Sequence, residues 1–403
     1  MSAMSTSEDH DQKGAAGTGG ETIGGETIGA GDCGQRAVWE AKRVLARPSA
    51  TMSLKERLGL LAEQAPQAYD LLGPTDTYGD GVVAEVERRV AALLGKEDAA
   101  FFPTGTMAQQ VVLRCWAERT GNSYVALHAL SHPEVFEADA FRRVSGLSPL
   151  RVTGAPRQPT AEEIRSLSEP FGTLMLELPL RDAGYLLPTW DELVEVTRAA
   201  RERDAIVHFD GARLFECTTH FGRSAKEIAA LADTVYVSLY KSLDGLSGAV
   251  VAGPRVLIKE TRIWRHRYGG RIFHQFPAAL SALAGLDREL PRLPEYVAHA
   301  KAVAQAIAQG FEDAGLGWSK VQPEVPHIHQ FQVWLPFAAE KLNDAAARQA
   351  QESGVAVFQM PWWEPGLPPG ISLTEVTVSA AGLDWEPADV REAVIDFVRR
   401  IGR

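Results

Sequence analysis

Lys241 lies in SLYKSLDGLSGAVVAG (238–253), between an apolar run and a glycine-rich one. A lysine at the end of a buried strand is either a solvated surface residue or an amine nucleophile activated by desolvation. Val235, Val237 and Leu239 alternate ahead of it, Ser238 lies three residues before it, and Gly245 and Gly248 behind it allow close backbone approach. HFDGARLFE (208–216) puts Asp210 just past an apolar strand, with Gly211 and Arg213 following. A carboxylate there can hold a protonated ring nitrogen while the arginine meets an oxygen anion. Taken singly, the stretch reads more readily as Asp210 capping the next helix and Arg213 lying on the surface. In FFPTGTMAQQ (101–110), Thr104, Gly105 and Thr106 open a helix, so free N–H groups and hydroxyls converge. Such an arrangement suits a phosphate, or forms an ordinary N-cap.

A fourth stretch, ALHALSHPEVFEADAF (126–141), sets His132 before Pro133 at a strand-to-helix junction, with Glu137 one turn on. That imidazole can stack on a planar ring or move protons; alone, it reads more readily as structural. His128 reads as structural, as do His327 and His329, which alternate on one face of an expected strand with no third ligand. No metal site is expected. In chain order the four stretches supply a phosphate loop, a stacking histidine, a carboxylate with an arginine, and a lysine. Pyridoxal 5'-phosphate needs that set: a phosphate cradle, a carboxylate for its pyridine nitrogen and a Schiff-base lysine. The 31 residues from Asp210 to Lys241 leave room for one helix and one strand.

The elements that must position these groups alternate in type. AAFF (99–102), SYVAL (123–127), TLMLEL (173–178), AIVHF (205–209), TVYVSLY (234–240) and GAVVAG (248–253) read as strands covered on both faces. Thr189 and Glu192 form a capping box ahead of LVEVTRAARER. Alternation of this kind predicts an α/β fold, a mainly parallel sheet wrapped by helices. Past about residue 285 the texture changes to long helical patterns (286–315), a strand in HQFQVWLP, a helix in EKLNDAAARQAQES, a strand in SLTEVTVSA and a final helix in EPADVREAVIDFVRRI. The expected organisation is a low-complexity disordered tail at 1–34, an N-terminal arm at 35–74, a large cofactor-binding domain at 75–285 and a smaller C-terminal α+β domain at 286–403.

Composition narrows the classes of function. The 403 residues are 45% apolar, enough for a large core and two domains. A net charge of −11 with no concentrated basic face argues against nucleic acid. No run of eighteen apolar residues spans a membrane and no secretory signal is visible, so a cytoplasmic protein is expected. Cys33, Cys115 and Cys217 form neither a metal spacing nor a disulfide framework.

From about residue 75 to 285 the chain resembles the threonine aldolase and aromatic amino acid β-eliminating lyase family of fold-type-I pyridoxal-phosphate enzymes. TDTYGDG, PTGTMAQQ, SHPEVFE, HFDGARLFE and SLYKSLDGLSGAVVAG carry the resemblance. It implies that Lys241 carries the cofactor and Asp210 holds its pyridine nitrogen. Arg213 would contact cofactor or substrate carboxylate, His132 cover the ring, and Gly105, Thr106 and Ser238 complete the cofactor site. Tyr78 would line the substrate site from across an interface in a homodimer or homotetramer, with Arg271 or His274 as further substrate contacts. The implied reaction cleaves a β-hydroxy-α-amino acid to glycine and an aldehyde; the alternative is a β-eliminating lyase on the same scaffold. A non-catalytic relative would lack the lysine, aspartate and phosphate loop, all present here. Two departures stand out. ELPLRDAG (177–184) puts Leu180 where the family has a histidine, which predicts an apolar wall favouring bulky substrates. SLTEVTVS puts Thr374 near the place of a substrate-carboxylate arginine.

Overall fold

The computed structural model describes residues 33–47, 51–366 and 368–402. The tail expected at 1–34 therefore lies outside the described residues up to 32, and Cys33–Trp39 is already helical. The apolar runs form a seven-stranded sheet: β1 Asp98–Phe102, β2 Tyr124–Leu127, β3 Ser148–Arg151, β4 Thr173–Glu177, β5 Ile206–Asp210, β6 Thr234–Ser238 and β7 Ala249–Gly253. Their order is β1-β7-β6-β5-β4-β2-β3. Strands β3 to β6 and β2 pair in parallel, while β7 runs antiparallel to both neighbours. The sheet is thus mainly parallel, as expected. The sequence reading missed β3, an edge strand of SPLR whose side chains stay partly exposed and carry no apolar signal.

Period-two alternation decides which face each side chain covers. Ala99, Phe101, Val235, Val237, Val250 and Ala252 join one apolar cluster; Ala100, Phe102, Tyr236, Ala249 and Val251 join another on the opposite face. Helices complete both layers. The helix Gly105–Thr120 starts where Thr104 accepts a hydrogen bond from the Met107 N–H at 3.2 Å, and ends at the left-handed Gly121. Helix Trp190–Arg201 carries the expected capping box, with Thr189 and Glu192 satisfying each other's backbone N–H.

A third core lies around an antiparallel sheet of β8 Lys320–Gln322, β9 Gln330–Leu335 and β10 Ser372–Thr377, in the order β10-β9-β8. Helices Leu293–Asp313, Ala339–Ser353 and Pro387–Ile401 cover it, and Val38, Ala41, Val44 and Leu45 join the same cluster. Arg43–Val44 even pairs in parallel with Val355–Ala356. His327 and His329 are not alternate residues of a strand as expected. They precede β9, where His327 accepts the Leu187 N–H at 2.9 Å and His329 bonds the Val378 carbonyl at 2.7 Å.

Candidate active site

Parallel strands end together, so their carboxyl edge presents whatever residues follow them. The loop after β1 leads to Gly105, the loop after β2 to His132, β4 ends on Glu177, β5 on Asp210, and the loop after β6 carries Lys241. All of these residues line one open cleft, together with Thr106, Arg181, Arg213, Tyr236 and Tyr240.

Lys241 owes its place to a tight loop. The Gly245 N–H bonds the Leu239 carbonyl at 2.9 Å, so closely that a side chain at Gly245 would meet that oxygen at 2.5 Å. Gly248 adopts φ +105° against the Phe101 ring. Arg57 and Arg288 both reach the Asp244 carboxylate, at 3.1 and 3.0 Å, and Ser242 hydrogen-bonds His329 at 2.9 Å. The Lys241 ammonium lies 5.0 Å from the centre of the Tyr240 ring. Ser238 ends β6 buried, accepting the Tyr240 N–H at 3.4 Å, two residues after Tyr236 on the same strand face.

Asp210 is buried and one oxygen accepts the Ala212 N–H at 3.1 Å. Its register partner across the sheet is Glu177, also buried. Burial raises both carboxyl groups above the usual range, and the charge of Asp210 raises Glu177 further. A cation brought to Asp210 would relieve that cost. Glu177 accepts the backbone N–H of His132 at 2.6 Å and of Arg181 at 3.1 Å, so one carboxylate fixes two walls of the cleft. His132 turns Nδ1 to Glu137 at 3.3 Å. Burial would lower the imidazole pKa, but Glu137, Asp210 and Glu177 outweigh it and the net shift is upward.

At the opposite end Gly105 approaches Tyr236 so closely that a Cβ would lie 2.2 Å from the tyrosine hydroxyl. The first turn of a helix leaves its N–H groups without intrahelical acceptors, and here Gly105 and Thr106, the first residues of that turn, line the cleft. The cradle thus fits a phosphate, and the buried carboxylate fits a protonated pyridine nitrogen.

Arg213 donates Nε to Gln330 and lies 5.2 Å over the Tyr185 ring. Arg181 holds Glu375 through two bonds of 2.9 Å. Neither Glu177 nor Arg181, Tyr236 or Gln330 was singled out from sequence; the one available signal was the charged pair closing an apolar strand in TLMLELPLR. Leu180 overturns its expectation: it is fully buried, bridges to Leu186 and does not line the cleft. Thr374 is buried too, bonded to the Met360 carbonyl at 2.8 Å. Tyr78 and Arg271 lie together elsewhere, the guanidinium 4.7 Å over the tyrosine ring, and His274 bonds the Asp76 carbonyl beside them. Within one chain none of these three reaches the cleft.

The fold matches that of the fold-type-I pyridoxal-phosphate enzymes, and that is the class the architecture defines. More narrowly, the chain belongs to the beta-eliminating lyase family, which matches residues 67–323. It is 31% identical to the low specificity L-threonine aldolase of Escherichia coli K12, over 59% of this chain and 73% of that one. Among solved structures, a putative L-allo-threonine aldolase from Listeria monocytogenes superposes with a TM-score of 0.81 at 33% identity, covering 91% of this chain and 99% of that one. A putative aromatic amino acid beta-eliminating lyase/threonine aldolase from Exiguobacterium gives 0.80 at 31% identity with the same coverage.

Proposed function

We propose that this chain is a pyridoxal-phosphate aldolase that cleaves the Cα–Cβ bond of β-hydroxy-α-amino acids to glycine and an aldehyde. The observation that supports it most is the convergence of Lys241, Asp210, His132 and a helix N-terminus on one cleft. The backbone N–H groups of Gly105 and Thr106 would hold the phosphate, Asp210 the pyridine nitrogen, and Lys241 the covalent attachment. Pyridoxal phosphate, when bound, supplies the electron sink that the polypeptide lacks.

The chain's own residues do the rest. Glu137 takes up Nδ1 of His132, which leaves Nε2 as the nitrogen free for proton transfer. Neutral His132 accepts the β-hydroxyl proton as the Cα–Cβ bond breaks and the aldehyde carbonyl forms. A proton returned to Cα completes glycine, so no net proton is consumed. Arg213, its Nε held by Gln330, orients an anionic oxygen of cofactor or substrate.

Active assemblies are homodimers or homotetramers with the site at the subunit interface. Supporting this, Tyr78 is 44% and Phe273 52% exposed beside Arg271, an aromatic surface on the TDTYGDG segment that carries part of the family resemblance. No helix among the described residues is long and apolar enough to cross a membrane.

The test is to incubate the purified holoenzyme with threonine, allo-threonine and phenylserine and to measure products. Glycine with an equimolar aldehyde is expected. Pyruvate or another keto acid with ammonia would instead establish β-elimination.

A further inference from the structure

Every α-amino acid carries a carboxylate two bonds from the amine that must reach Lys241, and the cleft has to pair that charge. The C-terminal strand β10 reads SLTEVT and contains no basic residue. What it contributes is Glu375, buried, whose two oxygens each accept a bond of 2.9 Å from Nε and Nη2 of Arg181. This clasp occupies one edge of the guanidinium. The Nη1–Nη2 edge has no carboxylate partner among the described residues, and Arg181 lines the cleft with Lys241 and Asp210. A guanidinium presents five donors in a fixed fork, so a second carboxylate can dock on the edge that remains.

We propose that Arg181 is the anchor for the substrate α-carboxylate, held in position by Glu375; this rests on the amino-acid reading above. Two further contacts fit the role. The backbone N–H of Arg181 bonds the same Glu177 carboxylate that receives the His132 N–H, so anchor and proton acceptor keep a fixed separation. The guanidinium also lies 5.4 Å over the Phe136 ring, on the helical turn that follows His132. A buried ion pair is a weak source of net stability. One that faces a ligand cleft beside the Tyr185 hydroxyl, with no carboxylate on its second edge among the described residues, is suited to carboxylate recognition.

Removing Arg181 alone strands the buried Glu375 charge, so the test uses the double variant Arg181→Met/Glu375→Gln. Holoenzyme binding of glycine and of ethanolamine, an amine with no carboxylate, is measured by calorimetry. Glycine should bind the variant about tenfold to a hundredfold more weakly than wild type, with ethanolamine unchanged. Unchanged glycine affinity overturns the assignment, and so does an equal loss for both ligands, which marks a merely structural pair. A wild type that binds glycine but cleaves no β-hydroxy amino acid would refute the proposed reaction, while the glycine-to-ethanolamine comparison still decides Arg181.

Discussion

Gly105→Ala isolates what the phosphate cradle depends on. The new methyl would sit 2.2 Å from the Tyr236 hydroxyl and 3.0 Å from its ring carbon, where an ordinary carbon–oxygen contact is nearer 3.4 Å. Something must move by about 1 Å. Tyr236 cannot, because it is buried in β6, between β5 and β7. The helix start moves instead, and with it the N–H groups of Gly105 and Thr106. Overpacking of this kind costs about 1–3 kcal/mol of folding stability. Misaiming charge-assisted hydrogen bonds costs about 1.5–3 kcal/mol each in binding. Cofactor affinity should therefore fall roughly tenfold to a hundredfold per bond lost. The assay is absorbance titration of the apoenzyme with pyridoxal phosphate, beside a thermal melt. Tyr236→Phe removes the offending oxygen, so the double variant Gly105→Ala/Tyr236→Phe should recover most of the affinity. Wild-type affinity in Gly105→Ala, or a double variant no better than the single, would refute the reasoning.

Asp210→Asn keeps an oxygen for the Ala212 N–H but no charge, so kcat should drop at least about a hundredfold while cofactor is still retained; near-normal turnover with cofactor bound would argue against the role. His132 must be neutral to accept a proton, and its pKa is displaced upward by Glu137, Asp210 and Glu177 against burial. The rate kcat/KM should therefore fall as pH drops through that raised pKa, and Glu137→Gln should move this acid limb to lower pH; a limb that stays put assigns it to another group. Leu180 is enclosed and off the cleft, so Leu180→His should cost about 2–4 kcal/mol and lower Tm by several degrees without switching substrate preference. Relative kcat/KM for threonine and phenylserine, measured beside the melt, separates the two outcomes.

Lys241, Asp210 and His132 were legible in the sequence because each follows or closes an apolar strand. In a parallel sheet a strand's end is already a position in space, since all carboxyl ends share one edge. Phe101 and Phe102 fall into opposite apolar clusters for an equally local reason, the alternation of side chains along a strand. Arg181 with Glu375 and Arg213 with Gln330 were not legible. These partners lie 194 and 117 residues apart, and they meet only because the C-terminal sheet packs against the carboxyl edge of the large one. Leu180 was misread for a related reason. Adjacent residues of a turn can face opposite ways, and it is the bridge to Leu186 that buries Leu180 and leaves Arg181 facing the cleft. Strand pattern and strand-end chemistry are properties of neighbours along the chain, and the sequence by itself determined them. Which arginine meets which carboxylate is a property of packed surfaces, and only the tertiary structure decided it.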